Sequence, residues 1–198
     1  MTYAELKESI QNYLQNSETT FVADLPTIIK QAEERILKLV RLPVFRKNVQ
    51  GNLSTGNQYL STPSDFMDTF SLATISSNTY TYLIRTDVSF IREAYPTTTT
   101  TSAPKHYSLF NDSTYIVGPT PDADYTAELH YFYRPSSITA GTDSETTWLA
   151  TNATNVLLYG SLVEGYTYMK GEPDLMNLYN QRYQEALGRL KVLGEGRN

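Results

Sequence analysis

The sequence predicts an α+β fold: a four-helix body, formed by an N-terminal and a C-terminal helix pair, with an inserted antiparallel β-sandwich or barrel-like domain. Two changes in hydrophobic period predict it. Apolar residues follow helical spacing up to Pro43 and again from about Thr151, and alternate as in strands between these points. Since an amphipathic helix cannot bury its apolar face alone, we expect the two pairs to pack together. The predicted domains are a discontinuous helical bundle, residues 1–42 and 150–198, and a β-rich insertion, residues 43–149.

The N-terminal pair begins with a helix whose first residues include Thr2 and Glu5, which form a capping-box pair. A second helix is predicted to start at Asp24, a favourable N-cap residue. Pro26 then falls in the first turn, where its missing N–H costs no hydrogen bond. The helix should end before Pro43, because the residue preceding a proline disfavours helical backbone.

Seven short segments of the insertion have the composition of strands, because they are rich in Val, Ile, Thr, Tyr and Phe and are bounded by turn residues. They are VFRKNVQGNL, NQYLSTP, TFSLATIS, TYTYLIR, KHYSLF, TYIVG and YTAELHYFYR. Tight turns are expected near Asn111 and Asp112 and at residues 76–79. DVSFIREAYP predicts one short helix, and PTTTTTSAP predicts an exposed polar loop. With so little helix between strands, an antiparallel sandwich or small barrel is favoured.

The C-terminal pair consists of two helices separated by Gly171 and Pro173, which mark a stop and a new start. The short link between them predicts an antiparallel arrangement. In the first helix the apolar residues are expected close to one face: Val156, Leu158, Tyr159, Leu162, Val163, Tyr166 and Met169. In the second, which should end at Gly194, they recur at i, i+3 and i+4: Leu175, Leu178, Tyr179, Tyr183, Ala186, Leu187 and Leu190.

Composition restricts the kinds of partner. The chain of 198 residues has a net charge of −5 and a pI near 5.1, which argues against gripping nucleic acid through its phosphates. Charged residues make up only 19%, so the polar surface is mostly Thr, Ser, Asn and Tyr, and another protein can cover it without desolvating many charges. There is no signal-peptide pattern and no apolar run near the roughly 20 residues that span a bilayer, so we expect cytoplasmic synthesis and no membrane contact. Without cysteine, disulfides and thiolate chemistry are excluded.

The sequence predicts that the protein is not an enzyme. It contains no GxxxxGK[ST], GxGxxG or HExxH motif. His106 and His130 both lie in alternating strand patterns, so each is expected to be a strand residue rather than a metal ligand. The carboxylate pair Glu33 and Glu34 is expected on a solvated helix face. We therefore expect no catalytic residues, no cofactor and no metal.

The 16 tyrosines and the basic residues have structural interpretations. Cross-strand packing is the leading interpretation of the tyrosines, a protein interface the second and stacking on a ligand the third, because Lys and Arg are not interleaved among them. A basic cluster at the helix-to-sheet junction is expected to form ion pairs on a solvated face: Arg35, Lys38, Arg41, Arg46 and Lys47. A smaller cationic group, on or after the last helix, complements the negative end of the helix dipole: Arg182, Arg189, Lys191 and Arg197.

Four phrases of the sequence, in order, are similar to the head-to-tail adaptor proteins of short-tailed bacteriophages, the tail tubular protein A type, and to related phage adaptors. They are DLPTIIKQAEERILKLVRLPVFR, QYLSTPSDFMDTFSL, YIVGPTPDADYTAELHYFYRP and TWLATNATNVLLYGSLVEGYTYMKGEPDLMNLYNQRYQEAL. The family pattern is an AExRI helix, a YxLPxDF-like strand turn, a strand pair and a closing helix pair. The resemblance covers most of the chain, although Thr62 stands where leucine is expected and Gly165 where alanine is usual.

The resemblance implies a structural virion protein, made in the host cytoplasm, with no catalytic residues. It implies a ring, usually of twelve copies, in the virion neck between the portal protein and the distal tail or nozzle protein, with genomic DNA passing through its channel. The candidate portal-docking residues of the helical body are Arg182, Arg189, Lys191 and Arg197. The candidate tail-facing residues of the β domain are Thr97, Thr98, Thr99, Thr100 and Thr101. We expect a monomer in isolation, because a polar, lightly charged interface makes each single contact weak.

Three other functions compete with this interpretation. A receptor- or carbohydrate-binding tail protein would use the tyrosine-rich strands to carry loops to a host glycan, but such proteins are usually trimeric and fibrous. A small hydrolase is disfavoured by the missing motifs. A head-completion protein of a long-tailed phage would share the helices but lack a large β insertion. The size of the purified protein, with and without portal, discriminates among these functions.

Overall fold

A computed structural model describes residues 1–195 of the protein. The chain divides into two compact units. The helical unit contains residues 1–43 and the chain from Pro135 onward, and the β unit contains residues 44–134. The domain limits expected from the sequence, at residues 43 and 149, stay a prediction.

Six α-helices occur in the described residues. They are α1 (Tyr3–Leu14), α2 (Thr19–Leu39), α3 (Val88–Ala94), α4 (Trp148–Asn152), α5 (Thr154–Tyr168) and α6 (Pro173–Glu195). All except α3 belong to the helical unit, which also contains a 3₁₀ turn at Ile138–Ala140. A further 3₁₀ turn, Pro43–Phe45, leads into the first strand.

The helix α1 begins as the sequence predicts. The Thr2 hydroxyl accepts from the backbone N–H of Glu5, and the Glu5 carboxylate accepts from the N–H of Thr2. The first N–H groups of the helix, which have no partner inside it, donate at 2.9 Å to the carbonyls of Glu145 and Asp143. The helix start is thereby fastened to the segment that precedes α4.

The predicted start of α2 is wrong. The helix begins at Thr19, so Asp24 and Pro26 lie inside it. Burial of Phe21, which is 1% exposed, favours the extra helical turn, and the proline removes only one backbone hydrogen bond. Asp24 does not cap the helix, and its carboxylate instead accepts from the Tyr168 hydroxyl at 2.7 Å. The end of α2 at Leu39 agrees with the predicted stop before the next proline.

The helix α5 is buried on more sides than its predicted single apolar face. It packs against α1, α2, α4 and α6. Its buried residues are Val156, Leu157, Gly160, Ser161, Leu162, Val163, Gly165 and Tyr166. A helix that is apolar around its whole circumference is typical of the centre of a packed unit.

Two glycines allow neighbouring helices to approach α5 closely. A Cβ atom on Gly165 would lie 2.8 Å from Cδ1 of the buried Leu14, and one on Gly160 would lie 3.2 Å from the ring of Tyr183. The glycine that departs from the adaptor pattern is therefore a close-contact position. Gly188, on the outer side of α6, has no atom within 4 Å of an added Cβ.

Glu33 is buried, which contradicts its predicted position on a solvated face. Its Oε1 accepts from the backbone N–H of Ile138 at 3.1 Å, and the Ser137 hydroxyl also hydrogen-bonds the carboxylate. Burial outweighs these bonds and raises the pKa of the Glu33 carboxyl above its ordinary value. The carboxylate is buried because it satisfies the turn at Ile138, a partner 105 residues away that helical periodicity cannot reveal.

Eight strands form two four-stranded sheets in the β unit. The strands are β1 (Arg46–Leu53), β2 (Tyr59–Ser61), β3 (Phe66–Ser76), β4 (Thr79–Tyr82), β5 (Ile84–Arg85), β6 (His106–Asn111), β7 (Thr114–Gly118) and β8 (Tyr125–Tyr133). One sheet has the order β1-β8-β3-β4 and the other β2-β7-β6-β5. The two predicted hairpin turns are confirmed, since Ser76 pairs with Thr79 and Asn111 pairs with Thr114.

The core of the β unit draws side chains from both sheets, and three of them are tyrosines. Its buried members are Leu53, Leu72, Leu83, Tyr107, Tyr115, Val117, Ala127, Leu129 and Tyr131. The Tyr115 and Thr69 hydroxyls, one from each sheet, lie 2.6 Å apart. The Tyr131 hydroxyl donates to Asp65 at 2.8 Å, and Lys47 lies 2.9 Å from the same carboxylate and is the main cause of its lowered pKa. For these tyrosines the predicted packing role is confirmed.

The α+β class stands, but the predicted architecture is wrong. The helical unit has five α-helices in its described part rather than four, and α3 lies in the β unit. The sheets are open, because β1 and β4 end one sheet and β2 and β5 end the other. They are also not wholly antiparallel, since β5 runs parallel to β6. Hydrophobic period identifies each element but does not determine its partner, and the connection through α3 brings β6 back beside β5 in the same direction.

We expect Gly165→Leu to lower the free energy of unfolding by about 1–3 kcal/mol, because the added side chain overpacks the contact with Leu14. Gly188→Leu, the matched change at an open helical position, should leave it unchanged or raise it by about 0.5 kcal/mol. Urea unfolding of both variants measures the difference. Equal losses would contradict the close approach at α5.

A second pair of variants tests the buried hydroxyls. The Tyr183 hydroxyl is buried and has no hydrogen-bond partner among the described residues, so Tyr183→Phe should leave stability unchanged or raise it. Tyr115→Phe removes the hydrogen bond to Thr69 and should cost about 0.5–1.5 kcal/mol. The melting temperature should fall for Tyr115→Phe and should not fall for Tyr183→Phe, and a loss at Tyr183 as large as that at Tyr115 would reveal a partner for its hydroxyl.

The raised pKa of Glu33 predicts a specific pH dependence. The folded protein binds this proton more tightly than the unfolded chain, so the favourable contribution is complete below the ordinary pKa of 4.5 and is lost as pH rises through the raised value. Glu33→Gln cannot titrate, so its stability relative to wild type should improve between about pH 4 and pH 8. Melting temperatures of both proteins across this range measure the difference. Parallel pH profiles would show that the carboxyl is not perturbed.

Candidate interaction surfaces

Three of the four cations predicted on or after the last helix lie on α6: Arg182, Arg189 and Lys191. Arg182 and Arg189 both face Glu185, with nitrogen-to-oxygen distances of 3.7 Å and 2.6 Å. Lys191 is exposed on the same helix, and Arg197 lies outside the described residues. One carboxylate therefore lies between two guanidinium groups, and this part of the helix surface keeps a net positive charge.

The cations lie within a longer line of exposed side chains, which we call the outer stripe of α6. Its members alternate at spacings of three and four residues: Leu175, Leu178, Arg182, Glu185, Arg189 and Val192. The two leucines are each 45% exposed and the valine is 69% exposed. Such spacing places the side chains on one face of a helix. It is also the spacing of the residues that form the seam of a coiled coil.

The position of Leu175 and Leu178 differs from the prediction, which placed them in the buried stripe. The core contacts of α6 are made by Tyr183, Leu187 and Leu190, which are at most 4% exposed. At about 100° per residue, Leu178 points well away from these three side chains. Apolar residues at i, i+3 and i+4 occur on both the buried and the exposed side of this 23-residue helix. The spacing therefore does not reveal which apolar residues are buried.

A groove borders the C-terminal half of the outer stripe. Its volume is about 400 Å³, and it lies between α6 and the junction of α4 with α5. The apolar lining comes from Ala153, Val156, Ala186, Leu190 and Leu193. Arg189 joins the groove to the charged centre of the stripe, while Asn152, Thr154 and Asn155 supply polar atoms.

The predicted threonine loop, Thr97–Thr101, belongs to the β unit and connects α3 to β6. All five threonines are exposed. The N–H of Thr100 donates to the carbonyl of Thr97 at 3.2 Å, which closes a turn, and Thr101 forms an isolated bridge with Thr120. The loop thus presents hydroxyl and methyl groups on a backbone held by one turn and one bridge.

The sequence predicts the strand β4 but not its exposed position at the edge of a sheet. The edge strand β4 has the sequence TYTY, and its Tyr80 and Tyr82 are 51% and 60% exposed. It carries no charge, whereas the opposite edge strand of the same sheet carries Arg46 and Lys47. Edge strands are commonly protected by charged side chains, and β4 has none. The absence of charge in TYTY is therefore the feature of the sequence that distinguishes this strand.

Both histidines lie within hydrogen-bond distance of a hydroxyl group. The imidazole Nδ1 of His106 lies 2.9 Å from the Tyr95 hydroxyl, and that of His130 lies 3.1 Å from the hydroxyl of Ser71. Within residues 1–195 no group of three His, Cys, Asp or Glu side chains could hold a metal ion. Over the same residues no helix combines the length and apolar character needed to cross a membrane.

In the basic junction cluster, the predicted ion pairs are observed for Arg35, Lys38 and Lys47, each inside its own unit. Arg35 pairs with Glu164 at 2.7 Å in the helical unit. In the β unit, Lys47 pairs with Asp65 and also lies 4.0 Å above the ring of Tyr133. Arg35 and Lys47 thus pair with carboxylates of other segments of their own unit, whereas Arg182 and Arg189 pair with a carboxylate of their own helix.

Comparison with known proteins identifies the family. No curated protein matches the sequence. A family model described as SU10 adaptor protein matches residues 1–198, the whole chain. This agrees with the resemblance to phage head-to-tail adaptors carried by the four phrases, and it indicates a structural phage protein. The chain belongs to the SU10 adaptor protein family.

Proposed function

We propose that this protein is the head-to-tail adaptor of a phage neck, where twelve copies form a ring between the portal protein and the distal tail protein. The observation that carries the proposal is the match of the adaptor family to the whole chain. The protein acts by binding other virion proteins and performs no catalysis. The surfaces described above are its means of contact.

The helical unit is the portal side in this proposal. Its exposed cations, Arg182, Arg189 and Lys191, are available to acidic groups of the portal, and Arg197 follows them in the sequence. Each exposed ion pair contributes only about 0–1 kcal/mol, so a single copy binds weakly. A portal ring presents many copies at once, and the resulting effective concentration completes the adaptor ring.

The β unit is the tail side. Its threonine loop, Thr97–Thr101, is exposed and uncharged, so a tail protein covers it without desolvating ions. The edge strand β4 adds two exposed tyrosines of the kind that are enriched at protein interfaces. Both features lie within one unit.

The genome passes through the ring without sequence-specific contact. A net charge of −5 does not favour tight binding to phosphates, which suits a channel wall along which DNA slides. The ring contacts must be heterologous, with one patch of each copy binding a different patch of the next, because contacts between identical patches produce dimers. The ring closes only when the rotation between neighbouring copies is correct.

Image reconstruction of the virion neck tests this function. We expect twelve copies in one ring, with α6 beside the portal and the threonine loop beside the next tail component. The purified protein alone should be a monomer by light scattering. Three copies at the tip of a fibre would instead support a receptor- or carbohydrate-binding protein and would refute the adaptor function.

A further inference from the structure

We propose that the outer stripe of α6 docks an amphipathic α-helix of a partner virion protein. That helix places apolar side chains against both ends of the stripe and a carboxylate against its centre. This inference deepens the proposed function and rests on it. It names the chemistry of the partner and the way in which the two proteins meet.

The spacing of the stripe indicates a helical partner. Positions that alternate by three and four residues form the seam into which the side chains of a second helix insert. The stripe runs from Leu175 to Val192 and therefore spans five turns of the helix at about 3.6 residues per turn. Its apolar members are exposed, while the core contacts of α6 are made by other residues. The helix thus has one face for its own unit and a second face that nothing covers among the described residues.

The charges at the centre decide what kind of helix fits. Glu185 lies between Arg182 and Arg189, so the centre of the stripe has two cations and one anion. A second copy of the same stripe would bring four arginines against two glutamates and would be repelled. A partner carboxylate compensates the extra cation and accepts from guanidinium N–H groups that Glu185 leaves free. The charge balance therefore disfavours a stripe-to-stripe contact between two copies and favours a helix with an acidic position, which we assign to a different virion protein.

The neighbouring groove extends the surface for such a helix. A volume of about 400 Å³ far exceeds the roughly 30 Å³ that one water molecule occupies, so the groove can accept a large side chain. Its lining is apolar at Val156 and Leu193 and becomes polar near Asn155. A helix lying along the stripe would place one anchoring side chain in this groove, which is the usual mode of helix-in-groove recognition.

Site-specific photo-crosslinking in assembled virions tests the proposal. The photoreactive residue p-benzoylphenylalanine would replace Leu178 or Val192, and replacement of Gln184, exposed on another side of α6, serves as the geometric control. We expect both stripe positions to crosslink to one segment of a different virion protein. Mass spectrometry should show three–four apolar spacing and an Asp or Glu between the two crosslinked points, with little product from the control.

A charge variant tests the acidic contact. Arg182→Gln with Arg189→Gln leaves Glu185 without its cations, and the crosslink yield at Val192 should fall about tenfold, since a partner carboxylate would now be repelled. Asn177→Glu with Gln184→Glu changes the net charge by the same amount on another face and should leave the yield unchanged. Equal effects of the two double variants would overturn the acidic contact.

The outcomes separate this inference from the proposed function. A crosslink to another copy of the chain, a crosslink to DNA, or equal yields at the stripe and control positions would each overturn the helix-docking surface while the protein remains in the neck. A crosslink to an acidic amphipathic helix at a fibre tip would support the surface and refute the adaptor function. Absence of the protein from the virion would count against both.

Discussion

The structure of the helical unit depends on the close packing of α5 at the centre of four other helices. This packing is possible because α5 presents glycine where its neighbours approach most closely, at 2.8 Å for an added Cβ on Gly165. The all-round burial of α5 gives the N-terminal and C-terminal segments of the chain a common core. The buried carboxylate of Glu33 then holds the returning chain at Ile138 to α2. Because α6 completes this core with one face only, its other face remains exposed.

The β unit is stabilised differently, because its two open four-stranded sheets share one core. Tyrosine fills the space between them and also satisfies polar groups at their margins, as in the contacts of Tyr115 with Thr69 and of Tyr131 with Asp65. The unit is therefore stabilised by aromatic bodies with hydrogen-bonded ends rather than by a purely aliphatic core. In the edge strand β4 the same residue type remains exposed, at Tyr80 and Tyr82.

Features determined by a few neighbouring residues could be predicted from the sequence. The capping box at Thr2, the hairpin turns and the short helix α3 are of this kind. Features determined by distant partners could not. The start of α2 depends on burial of Phe21, Glu33 is buried by a turn far along the chain, and β5 lies parallel to β6 because of the path through α3. The candidate surfaces also combine features of both kinds. The cations of α6 could be predicted from the sequence, whereas the exposure of Leu178 depends on which face α6 buries.

We propose that α6 packs onto its own unit with one face and binds a partner with the other. Hydroxyl-radical footprinting of free protein and of intact virions tests it most directly. In the free protein, Leu178, Val192 and the similarly exposed Leu39 of α2 should all be oxidised. In virions we expect strong protection of Leu178 and Val192. Leu39 serves as the reference for any protection that the particle gives to the whole chain. Oxidation of the stripe at the same rate in both states, relative to Leu39, would contradict it.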